Sequence, residues 1–191
     1  MTLAIDATGT CDVCKKTFQR FSTMQRCCRT YRCAMALVKA DKKAEAEKTR
    51  ARRLALKTRQ EWLAEAQEAF NRYVRLRDAA LPCVSCGTTN PPMLPGGQWD
   101  AGHWKSRGAR PELRFNEDNC HKQCKVCNGG SKFPRKAETV SDAYRIELIK
   151  RIGLEAVERL EGPHPPMHWT ADDLRIIKHT YRTKLRELEK P

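Results

Sequence analysis

Hydrophobic and polar positions alternate between two regimes along the 191 residues. From 34 to 80 the chain holds neither proline nor glycine and is dominated by Ala, Lys, Arg, Glu, Gln and Leu, which predicts helix throughout. The two halves of that stretch differ. Residues 39–60 carry nine basic side chains against three acidic ones, with too few apolar positions to pack, so this half reads as a solvated basic arm. From 61 to 79, Trp62, Ala66, Phe70, Tyr73 and Val74 recur at helical spacing and form a stripe that should dock on a core. Pro82 ends that helix, and the Gly-, Pro- and Asn-rich 83–135 region suits short strands, loops and a metal site. Leu148, Ile149, Ile152, Ala156, Val157 and Leu160 then mark an amphipathic helix over 143–160, interrupted near Gly153. Thr170 with Asp173 is a capping-box variant, and Leu174, Ile177, Tyr181, Leu185 and Leu188 carry a last helix almost to the end.

Composition narrows the partners. The chain has 37 Lys and Arg against 23 Asp and Glu, a formal net charge of +14, which points to a polyanion. A hydrophobic content of 40% allows a modest core. No apolar run approaches the roughly 20 residues that span a bilayer, which excludes a membrane protein. The opening residues lack a basic segment followed by an apolar one, so no secretory signal is expected and a cytoplasmic location is.

The ten cysteines fall in two clusters, five between 11 and 33 and five between 83 and 127. Without an export signal they read as metal ligands rather than disulfides. Cys83-x-x-Cys86 and Cys124-x-x-Cys127 can complete one tetrahedral thiolate site, a closed structural zinc with no open position for water. In the first cluster, Cys11, Cys14, Cys28 and Cys33 are chosen as a second zinc site, with Cys27 able to replace Cys28 and with Phe18 and Phe21 as a miniature core. Cys120 reads as a small buried residue, although it could substitute in the zinc site.

The stretch enclosed by the second cluster carries the chemistry. It reads Gln98-Trp99-Asp100-Ala101-Gly102-His103-Trp104, a basic loop, and then Arg114-Phe115-Asn116-Glu117-Asp118-Asn119-Cys120-His121-Lys122-Gln123 before Cys124, with Asn128 directly after Cys127. This pattern resembles the HNH (ββα-metal) nucleases, the more so because the two cysteine pairs enclose it. The resemblance implies an α+β protein, with a small zinc-stabilised ββα-metal core flanked by helices. It also implies His103 as the general base, Asn119 as the residue bracing the hairpin, and Asn128 as a ligand of a catalytic Mg²⁺ or Mn²⁺. One position departs from the family: the usual carboxylate or histidine before the base is Gly102. Alternate strand residues share a face, so Asp100 is assigned as the carboxylate ligand. A neutral imidazole would take a proton from the attacking water, while the ion stabilises the leaving oxygen. Arg107, Arg110 and Arg114 could hold the scissile phosphate, with Arg107 placed in the catalytic set, or could form a solvated loop. His121 could brace the site, add a ligand or lie on the surface.

Nearly the whole chain is similar to the NinG (Rap) recombination nucleases of lambdoid phages. The similarity runs through the N-terminal cysteines, Glu61-Trp62, Leu81-Pro82-Cys83-Val84-Ser85-Cys86-Gly87, Trp99-Asp100-Ala101-Gly102-His103, Leu113-Arg114-Phe115-Asn116-Glu117, His121-Lys122-Gln123-Cys124, Tyr144-Arg145-Ile146-Glu147-Leu148 and Trp169-Thr170. It implies a structure-selective endonuclease that cuts Holliday junctions and displacement loops during phage recombination in the host cytoplasm. The 88–97 loop and the Gly129-Gly130-Ser131 run depart from the family pattern. Two other readings stand beside it: a non-catalytic zinc DNA-binding mediator whose motif has decayed, and an HNH nuclease acting on duplex DNA.

The organisation expected is a zinc-binding module over 1–38, a basic helical arm over 39–60, a zinc-clamped nuclease core with flanking helices over 61–160, and a C-terminal helix over 161–191. Residues 39–60 and 101–136 each hold nine basic against three acidic residues, a net +6 apiece. Arg50, Arg52, Arg53 and Lys57 of the arm, and Lys105, Arg110, Arg114 and Lys122 around the motif, are the candidate DNA contacts. A junction needs paired cuts, so a homodimer is possible through the 61–79 or the 170–190 stripe, although core packing explains either stripe equally.

Overall fold

The structure is a computed structural model that describes residues 8–129 and 134–190, with side chains from 138 onward in the second segment. Gly130, Ser131 and Lys132 lie outside the described residues, and the side chains of Arg135 and Lys136 outside the described side chains. The chain forms two compact units that meet in sequence between Lys57 and Thr58. Two small antiparallel hairpins and a set of helices make it an α+β protein. Among the described residues no helix is long and apolar enough to cross a membrane.

The first unit opens with β1 (Thr8–Thr10) paired to β2 (Thr17–Gln19). Between them a tight turn carries the first cysteine pair: the Cys11 N–H donates to the Lys16 carbonyl at 2.9 Å, and Lys15 takes a left-handed φ of 60°. Arg26 clips this knot to the helix that follows, reaching Asp12 at 3.0 Å and Asp41 at 2.9 Å. That helix, α1 (Tyr31–Ala55), buries only Cys33 and otherwise presents its side chains to solvent. Phe21, expected in the miniature core, is instead 65% exposed beneath the Arg29 guanidinium, 4.3 Å from its ring centroid.

The single long helix expected over 34–80 is two helices. Thr58 breaks it: its extended backbone lets the hydroxyl accept the Glu61 N–H at 3.2 Å while the Glu61 carboxylate accepts the Thr58 N–H at 2.7 Å. This reciprocal capping box satisfies two of the donors a helix start leaves open, and α2 (Arg59–Arg77) begins there.

The second unit is built on α2. Its stripe of Trp62, Ala66, Phe70, Tyr73 and Val74 is buried against Leu174 and Tyr181 of the last helix, α6 (Ala171–Leu188), and against Ala101, Phe115 and Cys120. Phe70 sits at the centre, its ring 4.8 Å from Tyr181 and 5.7 Å from Phe115. Truncating such a fully buried ring costs about 3–5 kcal/mol. The α2 and α6 stripes therefore cover each other within one chain, and a second copy would need a different surface. Glu117 fastens the arrangement, accepting from Tyr73 at 2.9 Å, from Tyr181 at 3.3 Å and from Lys184.

The hairpin of β3 (Trp99–His103) and β4 (Cys120–Cys124) packs on α2, in the register Trp99↔Cys124, Asp100↔Gln123, Gly102↔His121 and His103↔Cys120. A short α3 (Lys125–Asn128) follows β4 directly. A second cluster of Val84, Leu113, Tyr144, Leu148, Val157 and Leu160 joins α4 (Pro134–Ile152) to α5 (Leu154–Glu161). Gly153, at φ 85°, separates these two helices in a conformation that favours glycine.

Candidate functional site

Two groups of four thiols come together. Cys11, Cys14, Cys28 and Cys33 form one and Cys83, Cys86, Cys124 and Cys127 the other, with the sulfurs of each group within 4.8 Å of one another. Four converging sulfurs suit a tetrahedral zinc and leave no open position for substrate. Cys28, not Cys27, belongs to the first group. Backbone N–H groups, that of Cys14 foremost, bring the Cys11 thiol down to about 6. In the second group the Cys83 Sγ accepts the Cys124 N–H at 3.3 Å, and Gly87 closes the Cys83 knuckle with a φ of 70°. Cys120 stays outside both groups, and full burial pushes its thiol far above the ordinary range.

The hairpin has two chemically different faces because alternate strand residues point to opposite sides. Ala101 and His103 share the face of Cys120 and Phe70. The His103 Nε2–H donates to the Arg114 carbonyl at 2.9 Å, which assigns the tautomer, and Nδ1 lies 3.6 Å from the Cys120 thiol. Burial, joined by the nearby charges of Arg107 and Arg114 and opposed by the Arg114 carbonyl, lowers the His103 pKa to about 4. The ring is neutral at physiological pH and lacks an acidic partner among the described residues.

Asn119 braces the loop that brings Arg114 to His103. Fully buried, it donates to the carbonyls of Lys105 at 3.0 Å and Leu113 at 3.2 Å and accepts the Lys105 N–H at 2.9 Å. Both ends of the 105–113 segment are thereby pinned to one side chain.

On the opposite face the structure joins Asp100 to Asn128, whose Nδ2 donates to Asp100 Oδ2 at 2.9 Å, with the Lys125 ammonium 3.6 Å from Oδ1. A carboxylate and a carboxamide side by side are groups of the kind that hold Mg²⁺ or Mn²⁺ together with retained waters; here such an ion would need the Asn128 oxygen, rather than its N–H, turned toward Asp100 and the Lys125 ammonium displaced. Gly102 lies on the same face beneath Gln123. A Cβ at position 102 would collide with Gln123 Oε1 and stand 2.8 Å from its Cβ, so no ligand side chain fits there. Asp100 and Asn128 are thus brought together, and His103 is placed across the strand from them.

The candidate DNA contacts divide. Arg50, Arg52 and Arg53 are exposed on α1, and Lys57 follows that helix. Arg107 is exposed near His103. Arg114 donates to Gln67 at 3.2 Å, and the Lys105 ammonium stacks on Trp104 at 4.0 Å. Arg110 is occupied by Glu112 and the Gly162 carbonyl. Lys122 is not a surface contact: it is 5% exposed, and its ammonium donates to the Ala79 carbonyl at 2.7 Å beside Trp99.

Sequence reasoning passed over Asp78. Buried at the end of α2, it accepts from Arg77 at 2.7 and 3.0 Å and from the Lys122 N–H at 2.9 Å, and it faces His121 Nδ1 at 3.4 Å. His121 is therefore a buried brace, its Nε2 on the Asp118 carbonyl at 3.2 Å. The arginine-flanked carboxylate lies well below its usual range: burial alone would raise it, and bonds from His121 and Arg77 overcome that.

A family model described as bacteriophage Lambda NinG protein matches residues 4–191. The chain is 41% identical over 207 residues to protein ninG of Escherichia phage 933W, covering 97% of this chain and 96% of that protein. It is 46% identical over 145 residues to protein ninG of Escherichia phage lambda, covering 74% and 64% respectively. Protein ninG of Salmonella phage P22 is 44% identical over the same length and the same shares. No solved structure matches the chain.

Proposed function

The chain belongs to the NinG family of bacteriophage proteins, and from that premise we propose that it is a metal-dependent endonuclease that cuts branched DNA in phage recombination. The observation that carries the reading is His103, a neutral imidazole fixed by a backbone carbonyl and set beside the charges of Arg107 and Arg114. The Arg114 carbonyl holds the proton on Nε2, so Nδ1, which faces the Cys120 thiol at 3.6 Å, is the nitrogen that would have to reach water and accept its proton as it attacks phosphorus. Asn119 fixes the loop that supplies that carbonyl, and Arg107 and Arg114 offer guanidiniums to the phosphate oxygens. Asp100 and Asn128, on the opposite face of β3, would hold a divalent ion, whose chemistry when bound is Lewis acidity toward a phosphate oxygen. The two zinc sites are structural, and a symmetric junction calls for two active sites, supplied by two copies.

One placement favours a second reading. His103 and the Asp100–Asn128 pair lie on opposite faces of β3, and the ring nitrogens of His103 already face Arg114 and Cys120. A zinc DNA-binding recombination mediator without catalysis would carry these residues for structure alone.

Incubating the protein with a four-way junction and with a linear duplex of the same sequence, in Mg²⁺, separates the readings. Cleavage of the junction with the duplex spared is expected. Binding without strand scission establishes the mediator reading, and equal cutting of both substrates identifies an ordinary duplex nuclease.

A further inference from the structure

The outer face of α2, opposite its buried stripe, borders a groove of about 440 Å³ whose other wall carries Arg107 and Arg114. Arg75, Gln67 and Asn71 line it from the helix. Gln67, 6% exposed, accepts from Arg114 Nη1 at 3.2 Å and donates to Asn71 Oδ1 at 2.7 Å, so the wall is built through buried polar bonds.

The groove carries three guanidiniums against one carboxylate. Elsewhere in the unit Arg77, Arg110, Arg145 and Arg151 each hold a carboxylate. Among the described residues, none is paired with Arg75, Arg107 or Arg114. Arg114 is pushed down by its own burial and then by the charges of Arg107 and Arg59. Like charges gathered in a cleft attract an anion that relieves their repulsion. Glu68 lines the groove but pairs with none of them.

We infer that this groove seats the sugar-phosphate backbone of one DNA strand and leads a phosphodiester to His103. The inference rests on the nucleic-acid reading above and adds to it the binding surface and its residues. The volume suits a phosphate with its neighbouring sugars rather than a duplex. Planar guanidiniums and carboxamides recognise phosphate oxygens without reading sequence. Arg114, whose carbonyl holds His103, and Arg107, whose charge acts on it, connect the groove to His103 rather than to Asp100, so the strand approaches from the α2 side.

Fluorescence anisotropy of a labelled single strand and of a four-way junction, with the full zinc-loaded chain across a salt series, tests the groove. Arg75→Gln and Arg107→Gln should each weaken binding for all sequences and reduce the slope of log affinity against log salt by about 0.7–0.9, one phosphate contact each. Arg182→Gln, an equal loss of charge on the exposed side of α6, should leave the slope unchanged. Unchanged slopes in the groove variants overturn the inference, as does an equal fall with Arg182→Gln or a protein that binds neither DNA. Binding with these slopes but without cleavage in Mg²⁺ defeats the endonuclease reading and leaves the groove standing.

Discussion

Replacing Asp78 with alanine should cost the second unit more stability than any other single polar substitution in it. Its carboxylate, 4% exposed, holds the Arg77 guanidinium and the Lys122 N–H and faces His121, so its removal strips three groups at once at the junction of α2 with β4. Removing one partner of a buried ion pair costs about 3–5 kcal/mol. Arg77 keeps bonds to the carbonyls of Glu117 and Cys120, which argues for the lower end, about 3 kcal/mol. At roughly 4 °C per kcal/mol that is a fall in Tm of about 12 °C. Trp62, Trp99, Trp104 and Trp169 all lie in the second unit, so tryptophan fluorescence during thermal or urea unfolding reports on it alone. The loss also has a pH signature. The folded-state pKa of Asp78 lies below its ordinary value, so its contribution is complete above about pH 4 and fades as the pH drops further. The gap between the unmutated protein and Asp78→Ala should be constant from pH 7 to 5 and narrow in stronger acid. A gap under about 1 kcal/mol at pH 7, or one indifferent to acid, would refute the assigned network.

Three further outcomes are expected. Metal analysis should find two zinc ions per chain; Cys83→Ser should lose one together with the tryptophan-reported fold, and Cys14→Ser should lose the other while that signal persists. Gly102→Ala should destabilise the hairpin by about 1–3 kcal/mol through collision with Gln123, and Gln123→Ala, by clearing the Oε1 contact, should recover part of it. A double-mutant cycle showing no coupling between the two would contradict that packing. The depressed pKa of His103 means its neutral ring contributes fully above about pH 6.5 and the contribution is lost as pH falls through about 4. The stability difference between the unmutated protein and His103→Gln, followed by urea unfolding, should therefore shrink across that window.

Features encoded by local spacing were legible in the sequence. The second four-thiol group follows from two C-x-x-C knuckles and the first from one knuckle with Cys33, its choice of Cys28 over Cys27 being made by the fold; the α2 and α6 stripes follow from helical periodicity. The Thr58 break was hidden because its flanks hold no proline or glycine, although the capping box Thr58-Arg59-Gln60-Glu61 spells it out. The Asp78 brace pairs residues more than 40 positions apart, a distance at which composition and period carry no signal. Counting charge placed Lys122 on the surface, whereas its strand position turns the long side chain inward to a carbonyl. Gly102 reads in sequence as an absent ligand; in the fold its space belongs to Gln123. Strand alternation, used to choose Asp100, also separates it from His103, because an odd number of steps along β3 changes face.

The central claim, that His103 is the base of a metal-dependent nuclease, is tested most directly on a four-way junction in Mg²⁺ with the unmutated protein and His103→Ala, each checked for zinc content and junction binding. The account predicts strand scission by the unmutated protein and a loss of at least about 100-fold in rate for the variant, the ordinary contribution of a general base, with binding retained. Equal cleavage by both proteins, or binding without cleavage by either, would contradict it.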